Sequence, residues 1–206
     1  MMMTDVPGWL TTLAWAGVTL GVVSALLIAR DVLANHRGWS WTEKVVWISS
    51  GLYLGPLAVW LERRWAARRG TPTVARTGLA GGAASALAHL VGVPLVVLSG
   101  LTIAGIDLWP MILVIAVLAT TLLAIFEATA GKRLLTAAWV AALTVLAFDL
   151  GMAGWMLLLH FTENMPTASH IAFWFLMQLG VVLGLLTALP ALRWLDQRPA
   201  RTSTAV

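Results

Sequence analysis

The sequence contains no cysteine among its 206 residues. Disulfide bonds, thiolate metal sites and cysteine redox chemistry are therefore excluded. Charged residues are also scarce, at 11% of the chain, whereas a soluble domain has about 25%. Hydrophobic residues make up 60% of the chain and the mean hydropathy is +0.87. This composition is that of an integral membrane protein.

The hydrophobic residues form continuous runs of about twenty, which is the length of a membrane-crossing helix and not the alternating pattern of a β-barrel strand. The sequence therefore predicts an all-α fold, a single-domain bundle of six transmembrane helices over residues 1–206. The predicted helices span residues 9–28, 45–61, 77–98, 109–126, 135–161 and 170–195. Residues 196–206 are polar, and we expect them to form a flexible tail.

The basic residues predict the orientation of the bundle. The chain has thirteen Lys and Arg against nine Asp and Glu, and in a membrane protein such an excess marks cytoplasmic segments before it indicates nucleic-acid binding. With six helices and the N-terminus inside, ten basic residues lie inside and three, Arg30, Arg37 and Lys44, lie outside. This count favours cytoplasmic N- and C-termini for a protein of the inner (plasma) membrane. The three basic residues of the first loop do not fit this orientation.

One acidic residue, Asp149, lies within a long apolar run. A charged group near the bilayer centre costs roughly 2.5–3.5 kcal/mol on insertion scales, so it needs a partner or a function. His89 is the expected partner because both residues fall near mid-depth, and Gln178 and Ser85 are weaker candidates. Two interpretations stay open: a hydrogen-bonded structural acid, and a proton or cation site.

A second set of candidates follows from helical periodicity. At about 100° per residue, Met152, Met156 and His160 share one helix face with Asp149. If this face meets the start of the last helix, His160, His170 and Met165 gather at the outer mouth of the bundle. Met156, His160, Met165 and His170 are therefore the candidate metal ligands, and thioether with imidazole suits copper better than magnesium. The alternative is that the methionines only pack and the histidines hydrogen-bond at the interface.

Three stretches carry a resemblance to a known family: Tyr53-Leu54-Gly55-Pro56-Leu57-Ala58-Val59-Trp60, Asp149-x-Gly-Met-x-Gly-Trp155-Met156 and Phe173-Trp174-Phe175-x-Met177-Gln178. With them, the chain resembles a family of bacterial multi-pass membrane proteins, domain of unknown function 4396, from the first helix to Trp194. The resemblance implies an acid at position 149 and a membrane architecture, but no activity. Many members carry His-Cys and Gly-Cys patterns at the start of the third helix. This chain has residues 81–85 without cysteine there, which argues against a thiol-based metal role.

Three functions remain as hypotheses. The first is a small transporter or transport accessory for protons or metal cations, with Asp149 and His89 in a polar pathway. The second is a structural or assembly subunit of a larger membrane complex, and the third is a membrane-embedded haem-binding redox subunit. No enzymatic activity and no definite cofactor are predicted. The expected partners are the lipid bilayer and either further copies of the chain or a larger membrane complex, without nucleic acid.

Overall fold

The computed structural model describes residues 6–67 and 73–197. Over these residues the protein is all-helical, as predicted, with seven helices and no strand beyond one isolated bridge between Ile103 and Ile106. The helices are α1 (Gly8–Asn35), α2 (Trp41–Leu54), α3 (Pro56–Ala67), α4 (Thr73–Ser99), α5 (Leu108–Thr129), α6 (Leu134–Phe161) and α7 (Ile171–Asp196).

Five of these helices, α1, α4, α5, α6 and α7, are long and apolar enough to cross a bilayer. The last four match the predicted limits to within a few residues, because each is one continuous apolar run. α1 continues to Asn35, beyond the predicted end at residue 28. The predicted tail 196–206 lies outside the described residues from position 198 onward. The prediction of six transmembrane helices is not confirmed.

The difference arises at the predicted second helix, 45–61, which is divided into α2 and α3. α2 begins with a capping box, in which the Ser40 side chain accepts from the backbone N–H of Glu43 and the Glu43 carboxylate accepts from that of Ser40. It ends at Gly55, whose φ of +56° is a left-handed conformation that glycine adopts without steric cost. Pro56 then starts α3, where its fixed φ and missing N–H are tolerated.

α3 returns toward the end of the bundle from which α2 entered. Glu62 on α3 lies 3.2 Å from His36, which follows the last residue of α1. Trp65 near the end of α3 packs edge-on against Trp47 of α2, with ring centroids 5.6 Å apart. The pair α2–α3 is therefore a re-entrant hairpin, and Leu52 near its tip is hydrogen-bonded to Gln178 of α7.

The helix termini define two ends of the bundle. The end where α1, α3, α5 and α7 finish is called the basic end. Two contacts join helix ends there: the Thr129 hydroxyl donates to the Thr42 hydroxyl at 3.1 Å, and Arg76 lies 3.9 Å from Glu43. At the opposite end, one cavity is lined by both the α4–α5 turn and the α6–α7 loop. Nine of the thirteen basic residues are described, and all nine lie in or next to segments of the basic end: Arg30, Arg37, Lys44, Arg63, Arg64, Arg76, Lys132, Arg133 and Arg193.

α4 is the central helix, with buried residues along most of its length. Glycines let its neighbours and other helix pairs approach closely. A Cβ at Gly82 would lie 2.5 Å from the Tyr53 hydroxyl, so the tyrosine ring of α2 occupies the space that a side chain would fill. Between α6 and α7, a Cβ at Gly151 would lie 2.7 Å from the carbonyl oxygen of Leu183. α6 and α7 therefore pack closely against each other.

Candidate polar site within the helix bundle

The tip of the re-entrant hairpin places a backbone carbonyl inside the bundle without a helical partner. In a continuous helix the carbonyl of Leu52 would accept from the N–H of residue 56, but Pro56 has no N–H. Instead, the side-chain amide of Gln178 on α7 donates to this carbonyl at 2.7 Å. An unpaired polar group costs several kcal/mol in hydrocarbon, so the amide stabilises the break. Gln178, a predicted site residue, therefore fastens the hairpin tip.

Tyr53, next to Leu52, contacts two cavities, one directly and one through Leu79. It lines a cavity of about 280 Å³ whose other polar lining residues are His89 and Gln178. Its buried hydroxyl donates to the carbonyl of Leu79 at 3.2 Å. Leu79 in turn lines a cavity of about 220 Å³ at the basic end, together with Glu43, Arg76 and Glu127 among others. Tyr53 therefore lines one cavity and is hydrogen-bonded to a residue that lines the other.

His89 is buried on α4, with 3% of its surface exposed. Its Nδ1 lies 2.8 Å from the carbonyl oxygen of Ser85. A carbonyl only accepts, so Nδ1 carries the proton and, in the neutral ring, Nε2 keeps a free lone pair. Nε2 is buried and has no hydrogen-bond partner among the described residues. Ser85, another predicted site residue, therefore contributes through its backbone by fixing the imidazole tautomer.

Asp149 is half-buried on α6. It lines a small cavity of about 10 Å³ together with His89, and apolar side chains of α5 and α6 complete the lining: Ile112, Ile115, Met152, Ala153 and Met156. The structure thus brings the two residues that sequence analysis paired to one cavity inside the bundle. Because His89 also lines the larger cavity, the imidazole joins the two spaces.

The four predicted metal ligands have different surroundings in the structure. Met156 lines the small cavity beside His89, whereas Met165 lines a separate cavity at the opposite end with Asp107 and Phe173. His170 caps α7, its Nδ1 accepting from the backbone N–H of Ala172 at 3.1 Å. The ring of His160 packs edge-on against Phe161. These contacts fit helix capping and packing, and the copper site stays a prediction.

Sequence reasoning did not find the role of Tyr53, although Gly55-Pro56, which begins two residues later, signals a helix break. It also did not find Thr144, whose buried Oγ1 has no hydrogen-bond partner among the described residues and whose methyl group packs near Gly81. No local pattern marks Thr144, because its burial depends on how α6 packs against α4.

Comparison with known proteins gives one match. Residues 72–199 match the family described as "Domain of unknown function (DUF4396)". The match covers α4 to α7 with Asp149, His89 and Gln178, and it begins after the Tyr53–Trp60 stretch. No curated protein and no solved structure matches the chain. Since the matched region is more than half of the sequence, the chain belongs to the family of domain of unknown function 4396.

Proposed function

We propose that this chain is a multi-pass protein of the inner (plasma) membrane that conducts protons through His89 and Asp149. One observation carries the proposal. His89 has a buried imidazole nitrogen without a hydrogen-bond partner among the described residues, and this residue lines the same cavity as Asp149. Ionisable residues inside transmembrane bundles are costly and mark ion pathways and proton relays. The proposal assigns no catalytic reaction to the site.

The size of the shared cavity favours a proton over a metal cation. About 10 Å³ is close to the space that one water molecule requires, so a hydrated metal ion does not fit. The free lone pair of His89 Nε2 accepts a proton, and the carboxylate of Asp149 takes it on through one water, because Nε2 has no hydrogen-bond partner among the described residues. Ser85 holds the imidazole in the tautomer that this transfer needs.

The hairpin supplies further support. Irregular backbone at membrane depth is tolerated where it lines a cavity, and broken helices surround the ion sites of many transporters. Here Leu52 and Tyr53 at the hairpin tip line the 280 Å³ cavity that also contains His89. In the proposed pathway this cavity leads to His89, and Tyr53 is the barrier toward the basic end.

The orientation is also a proposal. Short loops rich in Lys and Arg stay in the cytoplasm, and the nine described basic residues lie at the basic end. We therefore propose a cytoplasmic basic end. Five spans then place the C-terminal end of α7 in the cytoplasm and the start of α1 on the other side, whereas the sequence prediction had both termini inside.

Proton flux into liposomes tests the function. Purified protein is reconstituted with an internal pH dye, and a potassium gradient with valinomycin drives proton entry. We expect Asp149→Asn and His89→Gln to lower the flux at least about tenfold, because each variant removes a titrating group of the relay and keeps a similar shape. Asp107→Asn, in the turn before α5, is the matched control and should conduct like wild type.

Thermal unfolding of each variant separates function from folding. Asp149→Asn should unfold at the wild-type temperature, whereas Asp149→Leu should lower it. Wild-type liposomes no leakier than empty ones would contradict the proposal and favour a structural subunit. Full flux in folded Asp149→Asn would contradict the role of this carboxyl group.

A further inference from the structure

At the basic end, three potential ligand side chains converge where α1 ends and α3 returns. Asp31 lies in the last turns of α1, His36 follows its last residue, and Glu62 is on α3. One ligand atom from each lies within 4.8 Å of the other two. His36 Nε2 is 3.4 Å from Asp31 Oδ2 and 3.2 Å from Glu62 Oε1. None of these residues lines a cavity that His89 lines, and the proposed proton pathway does not use them.

Glu62 is the residue that points to a ligand. Its side chain is 1% exposed, and its Oε1 atom has no hydrogen-bond partner among the described residues although it faces His36. Burial, and after it the charge of Asp31, raise the pKa of Glu62. A buried carboxylate oxygen without a hydrogen bond is costly unless a cation compensates it.

The separations fit a metal centre. Bonds of about 2.0–2.2 Å to a transition metal, at angles between octahedral and tetrahedral, place neighbouring ligand atoms about 3.0–3.5 Å apart. The two distances from His36 Nε2, 3.2 and 3.4 Å, fall in this range. One imidazole with two carboxylates suits Zn²⁺, Mn²⁺ or Fe²⁺, whereas Mg²⁺ and Ca²⁺ prefer oxygen ligands throughout.

Neighbouring groups hold the ligands in place, as outer-shell partners do in metal proteins. The Asn35 amide donates to Asp31 Oδ1 at 2.7 Å, which leaves Oδ2 toward His36. The His36 ring stacks on Trp39 with centroids 4.2 Å apart and an interplanar angle of 21°. Each of these two ligands is therefore oriented by a residue of its own local segment.

We propose that Asp31, His36 and Glu62 bind one divalent transition-metal ion, which fastens the returning helix α3 to the end of α1. Without an ion, a protonated His36 between the two carboxylates would hold the same side chains together. The two arrangements differ in metal uptake, and the proposal does not rest on proton conduction.

The test uses the full chain in detergent, freed of its affinity tag and stripped with EDTA. Equilibrium dialysis against Zn²⁺, followed by elemental analysis, gives stoichiometry and affinity, and electron paramagnetic resonance gives the same for Mn²⁺. We expect one ion per wild-type chain, and we expect Glu62→Gln and Asp31→Asn each to weaken binding by at least about tenfold. Glu43→Gln should bind like wild type, because Glu43 lies outside the cluster and glutamine also serves in its capping box.

Wild-type chain that takes up neither ion stoichiometrically would overturn the proposal, as would wild-type affinity in both cluster variants. If neither variant can be purified, the melting temperature of the wild-type chain, measured with and without each ion, tests the site. A ligand that binds only the folded state raises this temperature. A value unchanged by Zn²⁺ and by Mn²⁺ would also overturn the site.

Discussion

Leucine in place of Gly51 is expected to separate α1 from α2 and to leave little folded protein in detergent. A Cβ at Gly51 would lie 2.5 Å from the backbone nitrogen of Ala25 and 2.6 Å from its Cα. These are backbone atoms of a helix, so they cannot rotate away as a flexible side chain would. Overpacking by a methylene or two costs about 1–3 kcal/mol. We expect Gly51→Ala to fall in this range and Gly51→Leu to exceed it.

Gly154→Leu is the matched control for this prediction. Gly154 also lies within a helix, but it is exposed, and a Cβ there would meet nothing within 4 Å. Leucine is the better helix former by somewhat less than 1 kcal/mol, so this variant should be neutral or slightly stabilising. Thermal unfolding followed by tryptophan fluorescence measures all three variants. A Gly51→Leu protein as stable as Gly154→Leu would show that α1 and α2 do not pack as described.

Replacing Gln178 by methionine should also destabilise the protein strongly. Methionine keeps a similar length but has no donor, so the Leu52 carbonyl loses the amide that lies 2.7 Å away. An unsatisfied buried acceptor costs about 1–3 kcal/mol. The loss should appear first in the hairpin, because this hydrogen bond joins its tip to α7.

Unfolding temperature and hydrogen exchange of α2 and α3 measure the effect of Gln178→Met. Leu179→Met is the control, since Leu179 is the next residue and its side chain is exposed. Faster exchange in the hairpin together with a lower unfolding temperature is the expected result. Equal stability of the two variants would mean that the Leu52 carbonyl has another partner and that Gln178 is not needed at the tip.

The long helices α4 to α7 could be predicted from sequence because each is a continuous apolar run that specifies its own limits. The α2–α3 hairpin could not be predicted in this way. Residues 45–61 are about as apolar and as long as a spanning helix, and only Gly55-Pro56 indicates a break. Whether the chain then continues or returns depends on distant contacts, above all the hydrogen bond between Leu52 and Gln178, 126 residues apart.

The hairpin also explains why the basic residues of the first loop did not fit the orientation predicted from six helices. When α2–α3 is counted as one crossing helix, Arg30, Arg37 and Lys44 fall on the side away from the other basic residues. Because the hairpin returns, its two ends lie together, and these three residues join the other described basic residues at one end. The charge pattern was therefore informative, whereas the predicted six crossings are not confirmed.

The candidate sites were predictable to different degrees. Asp149 and His89 could be paired from sequence because charge and depth in an apolar run are local properties, and both line one cavity. Glu62 could not be recognised, because it is followed by Arg63 and Arg64 and looks like part of an exposed charged segment. Its burial follows only from the return of α3 to His36.

The re-entrant hairpin is the central claim, and single-cysteine labelling in intact cells tests it most directly. The chain has no cysteine of its own, so Gly38→Cys, Arg63→Cys and Thr102→Cys each introduce one thiol for a membrane-impermeant maleimide. Gly38 lies just before α2, Arg63 lies in the second half of α3, and Thr102 lies in the turn between α4 and α5. We expect positions 38 and 63 to be labelled only after permeabilisation and position 102 to be labelled in intact cells. Labelling of positions 38 and 63 from opposite sides of the membrane would contradict the account, because α2–α3 would then cross the bilayer.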